Sequence, residues 1–522
     1  MQAFEWIIVL LIAAAFLAEL ARRIGVPYPT LLAIGGVGLA FLPNAPRWAL
    51  DPELALTLFV APVLLDAAYD TSTRDLRANW RPVTGLVIAA VGTTVIGVAV
   101  ACRWLVPDMP WAVAVALGAI VAPPDAAAAT AVMRQVGLPH RVLNILEGES
   151  LLNDASALFV YRVALMATIA GPLGAGDYLP VFMLTLFGSI AAGIGLAYLL
   201  KPVLSASEHV PISLIIQFAC TFGVWILAAK IGLSSILTMV AFAMSMARGG
   251  GPRMPARMRV PIFAVWEAVV FVLNAFAFVL IGLQLRPIWE RLGGATDRID
   301  AVVVAGVVLG VVIATRFLWV MGYSSLVMHT NKTLEPANRA HKSWGGGLVV
   351  SWAGMRGIVT LAAAFAIPET LPSGAPFPYR DLILLCAFGV VFGTLVLQGL
   401  TMKTVIRLLT LSDNEDLVSE EVRTGRTIVY QALLDSIKDD ESLQARILRK
   451  EYQVVVEVNA SRGNVGPLSE VPGGPLRRRA IEEAREKAIE LRNSEVIGEQ
   501  AYRLLVKELD WAELAAGGGT AA

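Results

Sequence analysis

The chain has 522 residues, 56% hydrophobic and only 16% charged, with a mean hydropathy of +0.66. Soluble domains are typically about 45–50% apolar and about 25% charged, so an ordinary soluble globule is excluded. The 42 basic and 42 acidic residues cancel, but residues 1–411 hold 27 basic against 21 acidic and residues 412–522 hold 15 against 21, so the zero sums two unlike parts.

Crossing the hydrocarbon takes about 20 apolar residues per helix. Taken in chain order, thirteen apolar runs meet that need: approximately 4–21, 28–45, 54–72, 82–106, 111–134, 145–170, 178–201, 211–230, 232–247, 262–285, 300–328, 344–367 and 379–402. The first has no basic leader and no small-residue cleavage site, so it reads as a retained span rather than a signal peptide. Only Ile231 divides the eighth run from the ninth. The expected fold is an all-α polytopic membrane protein with about thirteen transmembrane helices over 1–411, followed by a helical cytoplasmic tail over 412–522. Connections after odd-numbered runs carry fifteen Lys and Arg against eight after even-numbered runs. Positive charge marks the cytoplasmic side, so the N-terminus is expected outside and the C-terminus inside a cell (inner) membrane.

In the tail, Arg477 to Arg492 places Glu and Lys/Arg at i,i+3 and i,i+4 spacing, and Gly463 to Pro475 breaks the helical pattern. It reads as a solvated helical segment with a regulatory or assembly role. Cys102, Cys220 and Cys386 are far apart in apolar runs, and the four histidines lack metal-ligand spacing. No cofactor and no nucleic-acid partner are expected.

Ionisable groups inside spans are functional candidates, because a charge at mid-bilayer costs about 2.5–3.5 kcal/mol even on the lenient insertion scale. Those here are Glu19, Asp66, Asp125, Glu147, Glu149, Asp154, Arg162, Glu267, Arg316 and Arg356. Glu19 and Arg162 lie near span ends and can snorkel. The densest cluster opens the sixth run, Glu147-Gly-Glu149-Ser150-Leu-Leu-Asn153-Asp154. On a helix Ser150 shares a face with Asp154, and Glu149 with Asn153. A carboxylate, an amide and a hydroxyl on adjoining faces supply oxygen ligands for a hard cation. Desolvated, such a carboxylate must be neutralised by that cation or by a proton, and one site taking either is the minimum requirement for exchange. A polar helix–helix contact is the structural alternative.

The fifth run contains Ala122-Pro123-Pro124-Asp125, where two prolines remove amide donors and bar a regular helix. The twelfth contains Gly345-Gly346-Gly347 and Gly354-Met-Arg356-Gly357. Irregular backbone at membrane depth belongs beside a cavity or inside protein, and interrupted segments at corresponding places in two halves point to an inverted-repeat secondary transporter. Read as six spans, a linker and six spans, the fifth run corresponds to the twelfth. Charge complementarity suggests two buried pairs, Glu149 with Arg356 and Glu267 with Arg316.

Five stretches carry a resemblance: Phe59 to Asp66 (FVAPVLLD), Ala122 to Thr130 (APPDAAAAT), Gly148 to Asp154 (GESLLND), Phe278 to Leu285 (FVLIGLQL) and Trp352 to Gly357 (WAGMRG). Together, in order across about 400 residues, they resemble the sodium/proton exchanger (NhaP-like) branch of the monovalent cation–proton antiporter family. The resemblance implies that Asp154 of the Asn153-Asp154 pair carries cation or proton, that Asp125 is the unwound-helix carboxylate, and that Asp66 is the third-span acid. It further implies a Glu149–Arg356 bridge beside the site, Ser150 as a ligand, and Na+ (or K+ or Li+) held at Asp154 and Asp125. A homodimer with separate scaffold and core domains, working by alternating access, is implied as well. One departure is Pro124, where family members often carry Thr; a side-chain ligand is lost there. Asn153 in place of a second aspartate agrees with electroneutral one-for-one exchange.

Potassium/proton exchange stays open beside sodium/proton exchange. Tyr69-Asp70 and Gly174 to Asp177 match the YD and GxGD patterns of an intramembrane aspartyl protease, but those aspartates fall at a basic span end and in a connection rather than inside spans. A passive cation channel would need rings of filter groups and no buried titrating switch.

Overall fold

The computed structural model describes residues 2–42, 52–70, 84–125, 140–170, 175–250, 255–293, 295–330, 344–409, 415–460, 474–494, 505–506 and 508–513. Among these the architecture is all-α, and the chain divides into two compact units, Met1–Leu411 and Ser412–Ala522.

In the first unit, α1 (Gln2–Ile24) and α2 (Tyr28–Ala40) open the chain. Helix α3 covers 52–70 and is wound as a π-turn over Leu56–Val60. Helix α4 covers 85–105 and begins with a second π-turn, Gly85–Ala90, before Val91–Leu105. Next come α5 (Trp111–Val121), α6 (His140–Ala170), α7 (Ala175–Leu204), α8 (Val210–Lys230) and α9 (Ser235–Gly250). They are followed by α10 (Ala256–Leu283), the short α11 (Leu285–Arg291) and α12 (Ala295–Thr330). A broken pair, α13 (Trp344–Trp352) and α14 (Ile358–Phe365), precedes α15 (Arg380–Leu408).

Seven helices among the described residues are long and apolar enough to cross a membrane, and shorter apolar helices accompany them. The chain is therefore a polytopic membrane protein with several long apolar helices and interrupted ones. Apolar side chains such as Phe16, Ile96, Leu184 and Leu318 are exposed, as lipid-facing helices require.

The eighth and ninth runs are separate helices. The turn between them needs a left-handed residue, which Gly232 supplies at φ 76°. The acidic cluster does not open its helix, since α6 starts at His140 and places Glu149 in its third turn. The apolar profile missed this start because the first turns of α6 are polar. The π-turns of α3 and α4 carry no hydropathy signal.

The helices pack as two sets. One joins α1, α2 and α10 with α3, α7, α8 and α9; the other joins α4, α5, α6, α12, α13, α14 and α15. Helices α2 and α15 meet between the sets, where the Thr30 hydroxyl donates to the Leu395 carbonyl at 2.7 Å.

In the second unit, α16 (Glu415–Ser436) packs on α17 (Leu443–Ala460) with Tyr430 stacked on Tyr452, and α18 (Gly474–Asn493) follows. Ser442 caps α17, its hydroxyl accepting from the Ala445 amide at 3.2 Å. The Ser442 amide in turn donates to Asp440 at 2.9 Å and holds that carboxyl below its usual range. Most of the break at Gly463 to Pro475 lies outside the described residues.

Candidate functional site

The site forms where the two interrupted segments cross. In a helix each carbonyl accepts the amide four residues on. Pro123 and Pro124 have no amide, so the carbonyls of Ala119 and Ile120 lose their helical donors and α5 stops at Val121. The Asp125 amide does not return to Val121; it donates across the crossing to the Met355 carbonyl at 2.7 Å.

Arg356 takes up the carbonyls left at the end of α5. Its Nε donates to the Val121 carbonyl at 3.0 Å and its Nη2 to the Ala122 carbonyl at 3.1 Å, while Nη1 donates to the carbonyl of Gly354. Only 1% exposed, the guanidinium sits at the negative end of the α5 dipole. Its backbone amide donates to Thr394 Oγ1 at 3.1 Å, which ties the crossing to α15.

The reciprocal arrangement holds at α14. Gly357 is its N-cap, and a Cβ built there would lie 1.4 Å from Asp125 Oδ2. The Asp125 carboxylate therefore rests on the bare Cα at the positive end of α14. Each half-helix end is met by the opposite charge from the other segment.

Beside the crossing, Arg316 grips Glu149 through two parallel hydrogen bonds, Nη1 to Oε1 at 2.6 Å and Nη2 to Oε2 at 2.9 Å. Both are buried, at 3% and 0% exposure, and Arg316 Nε donates to the Val350 carbonyl at 3.2 Å. Glu149 Oε1 also accepts from Asn153 Nδ2 at 3.0 Å. A carboxylate only accepts, so this bond fixes the amide orientation and leaves Asn153 Oδ1 as a buried acceptor without a partner among the described residues. Next to it Asp154 is 6% exposed and makes no hydrogen bond among the described residues, with Asp125 as its charged neighbour. A small pocket beside this constellation is lined by Thr94, Pro124, Glu149, Asn153, Arg316 and Arg356, among others.

Both expected ion pairs are corrected by this geometry. Glu149 pairs with Arg316, not Arg356, and Glu267 is exposed on α10 rather than paired with Arg316. Charge complementarity overlooked the Val121 and Ala122 peptide carbonyls at the broken end of α5, which satisfy Arg356 without an acid. Asp66 is half-buried on α3 and does not line the pocket. Ser150 lies on α6 four residues before Asp154; its side chain is outside the described set, as are those of Glu147, Asp70 and Asp177, and residues Ala126 to Thr130. The sequence reading missed Thr394 and Ser156. Ser156 Oγ lies 3.0 Å from the Val87 carbonyl and 2.9 Å from the Asn153 carbonyl, so it ties the π-turn of α4 to the Asn153-Asp154 turn. The only sequence signal for Ser156 was its place two residues after Asp154.

A buried carboxylate and a buried amide oxygen that have no hydrogen-bond partner among the described residues can bind a small dehydrated cation or a proton. Comparison with known proteins agrees with that chemistry. Residues 7–408 match the family model for the transmembrane sodium/hydrogen exchanger. A protein named as an uncharacterised Na+/H+ exchanger from Mycobacterium tuberculosis is 32% identical, over 97% of this chain and 95% of that one. A sodium, potassium, lithium and rubidium/H+ antiporter from Bacillus subtilis is 30% identical, over 80% of this chain and 62% of that one. Among solved structures, the sodium proton antiporter MjNhaP1 of Methanocaldococcus jannaschii shares the fold with a TM-score of 0.62 at 18% identity, covering 79% of this chain and 97% of that one. The chain belongs to the transmembrane sodium/hydrogen exchanger family, a family of transporters rather than enzymes.

Proposed function

We infer that the protein is a secondary active antiporter that exchanges Na+ for H+ across the cell membrane by alternating access, with Asp154 binding cation and proton in competition. The observation that carries this reading is the buried Asp154 carboxylate without a hydrogen-bond partner among the described residues, beside Asp125 and the orphaned Asn153 Oδ1. An ionised carboxylate cannot stay bare in such surroundings, so it exchanges one neutralising partner for the other. Asp154, Asp125, Asn153 and Ser150 form the ligand set in this reading, and the Arg316–Glu149 bridge positions Asn153. With one carboxylate switching between one proton and one monovalent cation, transport is electroneutral.

The remaining architecture belongs to the same proposal: thirteen spans as inverted repeats over 1–411, N-terminus outside, a cytoplasmic tail over 412–522, and a homodimer. Two interrupted segments that compensate each other's helix ends support the inverted repeat. Potassium/proton exchange is kept as the second reading, because the Bacillus relative is named for several alkali cations and Pro124 offers no hydroxyl to select among them. Cation-dependent dissipation of a pH gradient in proteoliposomes, scanned over Li+, Na+ and K+, tests both. A response to Na+ that a potassium/valinomycin clamp leaves unchanged is expected; no response to any of the three overturns the reading.

A further inference from the structure

Away from the ion site, Gln398 on α15 is fully buried, and neither its Oε1 nor its Nε2 has a hydrogen-bond partner among the described residues. A carboxamide left bare in an apolar interior is costly, and natural structures rarely keep one without a reason. Its position supplies one. Three residues earlier, the Leu395 carbonyl accepts from the Thr30 hydroxyl of α2, one of the contacts between the two helix sets. One residue later, Gly399 lets that hydroxyl approach, since a Cβ there would lie 2.3 Å from Thr30 Oγ1. By helix rise, Gln398 is about 4.5 Å along α15 from Leu395. The hydroxyl is already used as a donor, but its lone pairs remain free to accept from an amide.

We propose that Thr30 and Gln398 form a latch between the helix sets, open in the present arrangement and closed in the alternate one. This rests on the alternating-access reading above. When α15 shifts by about one turn against α2, the Thr30 hydroxyl leaves the Leu395 carbonyl and accepts from Gln398 Nε2. The unpaired carboxamide weights the equilibrium against the present arrangement, and its pairing stabilises the other. Gln398 is thus a positioning residue for the transport cycle, outside the ion site.

The test compares wild type, Gln398→Leu, Gln398→Met, Thr30→Val and the Thr30→Val/Gln398→Leu double variant in proteoliposomes. Spin labels at Phe41, at the end of α2, and Ile299, on α12, report the spacing of the two sets, and both positions are exposed. Gln398→Leu and Gln398→Met should narrow the label distances to one population and slow Na+-driven exchange about tenfold, the size expected for one buried hydrogen bond. In the Thr30→Val background, Gln398→Leu should add little. Unchanged distance distributions in both Gln398 variants, or fully multiplicative effects of Thr30→Val and Gln398→Leu on the rate, would overturn the latch. Normal exchange with unshifted distances removes the latch alone; shifted distances with no exchange in wild type remove the antiport reading alone.

Discussion

Arg316 holds Glu149 in a bidentate pair with both partners out of contact with solvent, at 2.6 and 2.9 Å. The pair does more than neutralise two charges. By accepting from Asn153 Nδ2, Glu149 fixes the orientation of the amide next to Asp154 in sequence, so the bridge orients a proposed ligand without itself belonging to the proposed set.

Removing one partner strands the other in low dielectric. Arg316→Leu should destabilise the protein by about 3–5 kcal/mol, and Glu149→Leu/Arg316→Leu should be more stable than Arg316→Leu alone. Thermal unfolding of the purified variants in detergent checks this. A double variant weaker than the single one would show that the buried charges are not each other's main compensation.

Arg356 bridges two carbonyls with a planar fork, which lysine cannot reproduce. Arg356→Lys should leave Val121 or Ala122 unpaired, cost about 1–3 kcal/mol and lower exchange more than tenfold. Unfolding and transport measured on the same preparation test it. Full activity in Arg356→Lys would mean that a cation is needed at the end of α5 but not its two-point contact.

Gly357→Ala places a methyl where the Asp125 carboxylate now rests. The carboxylate must move off the end of α14, and alanine is also a poorer N-cap than glycine, a cost of about 1 kcal/mol that leaves the protein folded. The expected outcome is folded protein with at least a tenfold weaker apparent cation affinity, read from the Na+ dependence of pH-gradient dissipation. Unchanged affinity would remove Asp125 from the ligand set.

Most of the fold was legible because the bilayer imposes length and hydropathy on each helix, and Pro123-Pro124 marks a break that no regular helix accepts. Asp154, Asp125 and Asn153 stand out as candidates because lipid makes every polar residue conspicuous. The partners do not. Glu149 could pair with Arg316 or Arg356 by charge alone, and choosing between them needed the peptide carbonyls, which have no letter in the sequence. The π-turns and the Thr30–Leu395 contact were hidden for the same reason, since each is a property of backbone placement.

In the tail unit, Ser442→Ala removes the cap of α17 and should cost that helix about 1 kcal/mol. Asp440 holds the Ser442 amide with a carboxyl lowered relative to an unfolded chain, so its contribution is present above the unfolded carboxylate range, about pH 4, and is lost as pH falls through the lower folded value. Amide exchange over residues 442–446 should accelerate in Ser442→Ala at pH 7, and in wild type only under acid. Unaltered exchange in the variant would dissociate the cap from the stability of α17.

The central claim is that Na+ and H+ compete for Asp154. Its most direct test is the number of protons released when Na+ binds to purified protein in weakly buffered solution near the midpoint of its pH response. Wild type should release up to one proton per Na+ bound, and Asp154→Asn should bind Na+ weakly and release none. Sodium binding in wild type with no proton release, or undiminished release in Asp154→Asn, would contradict the account.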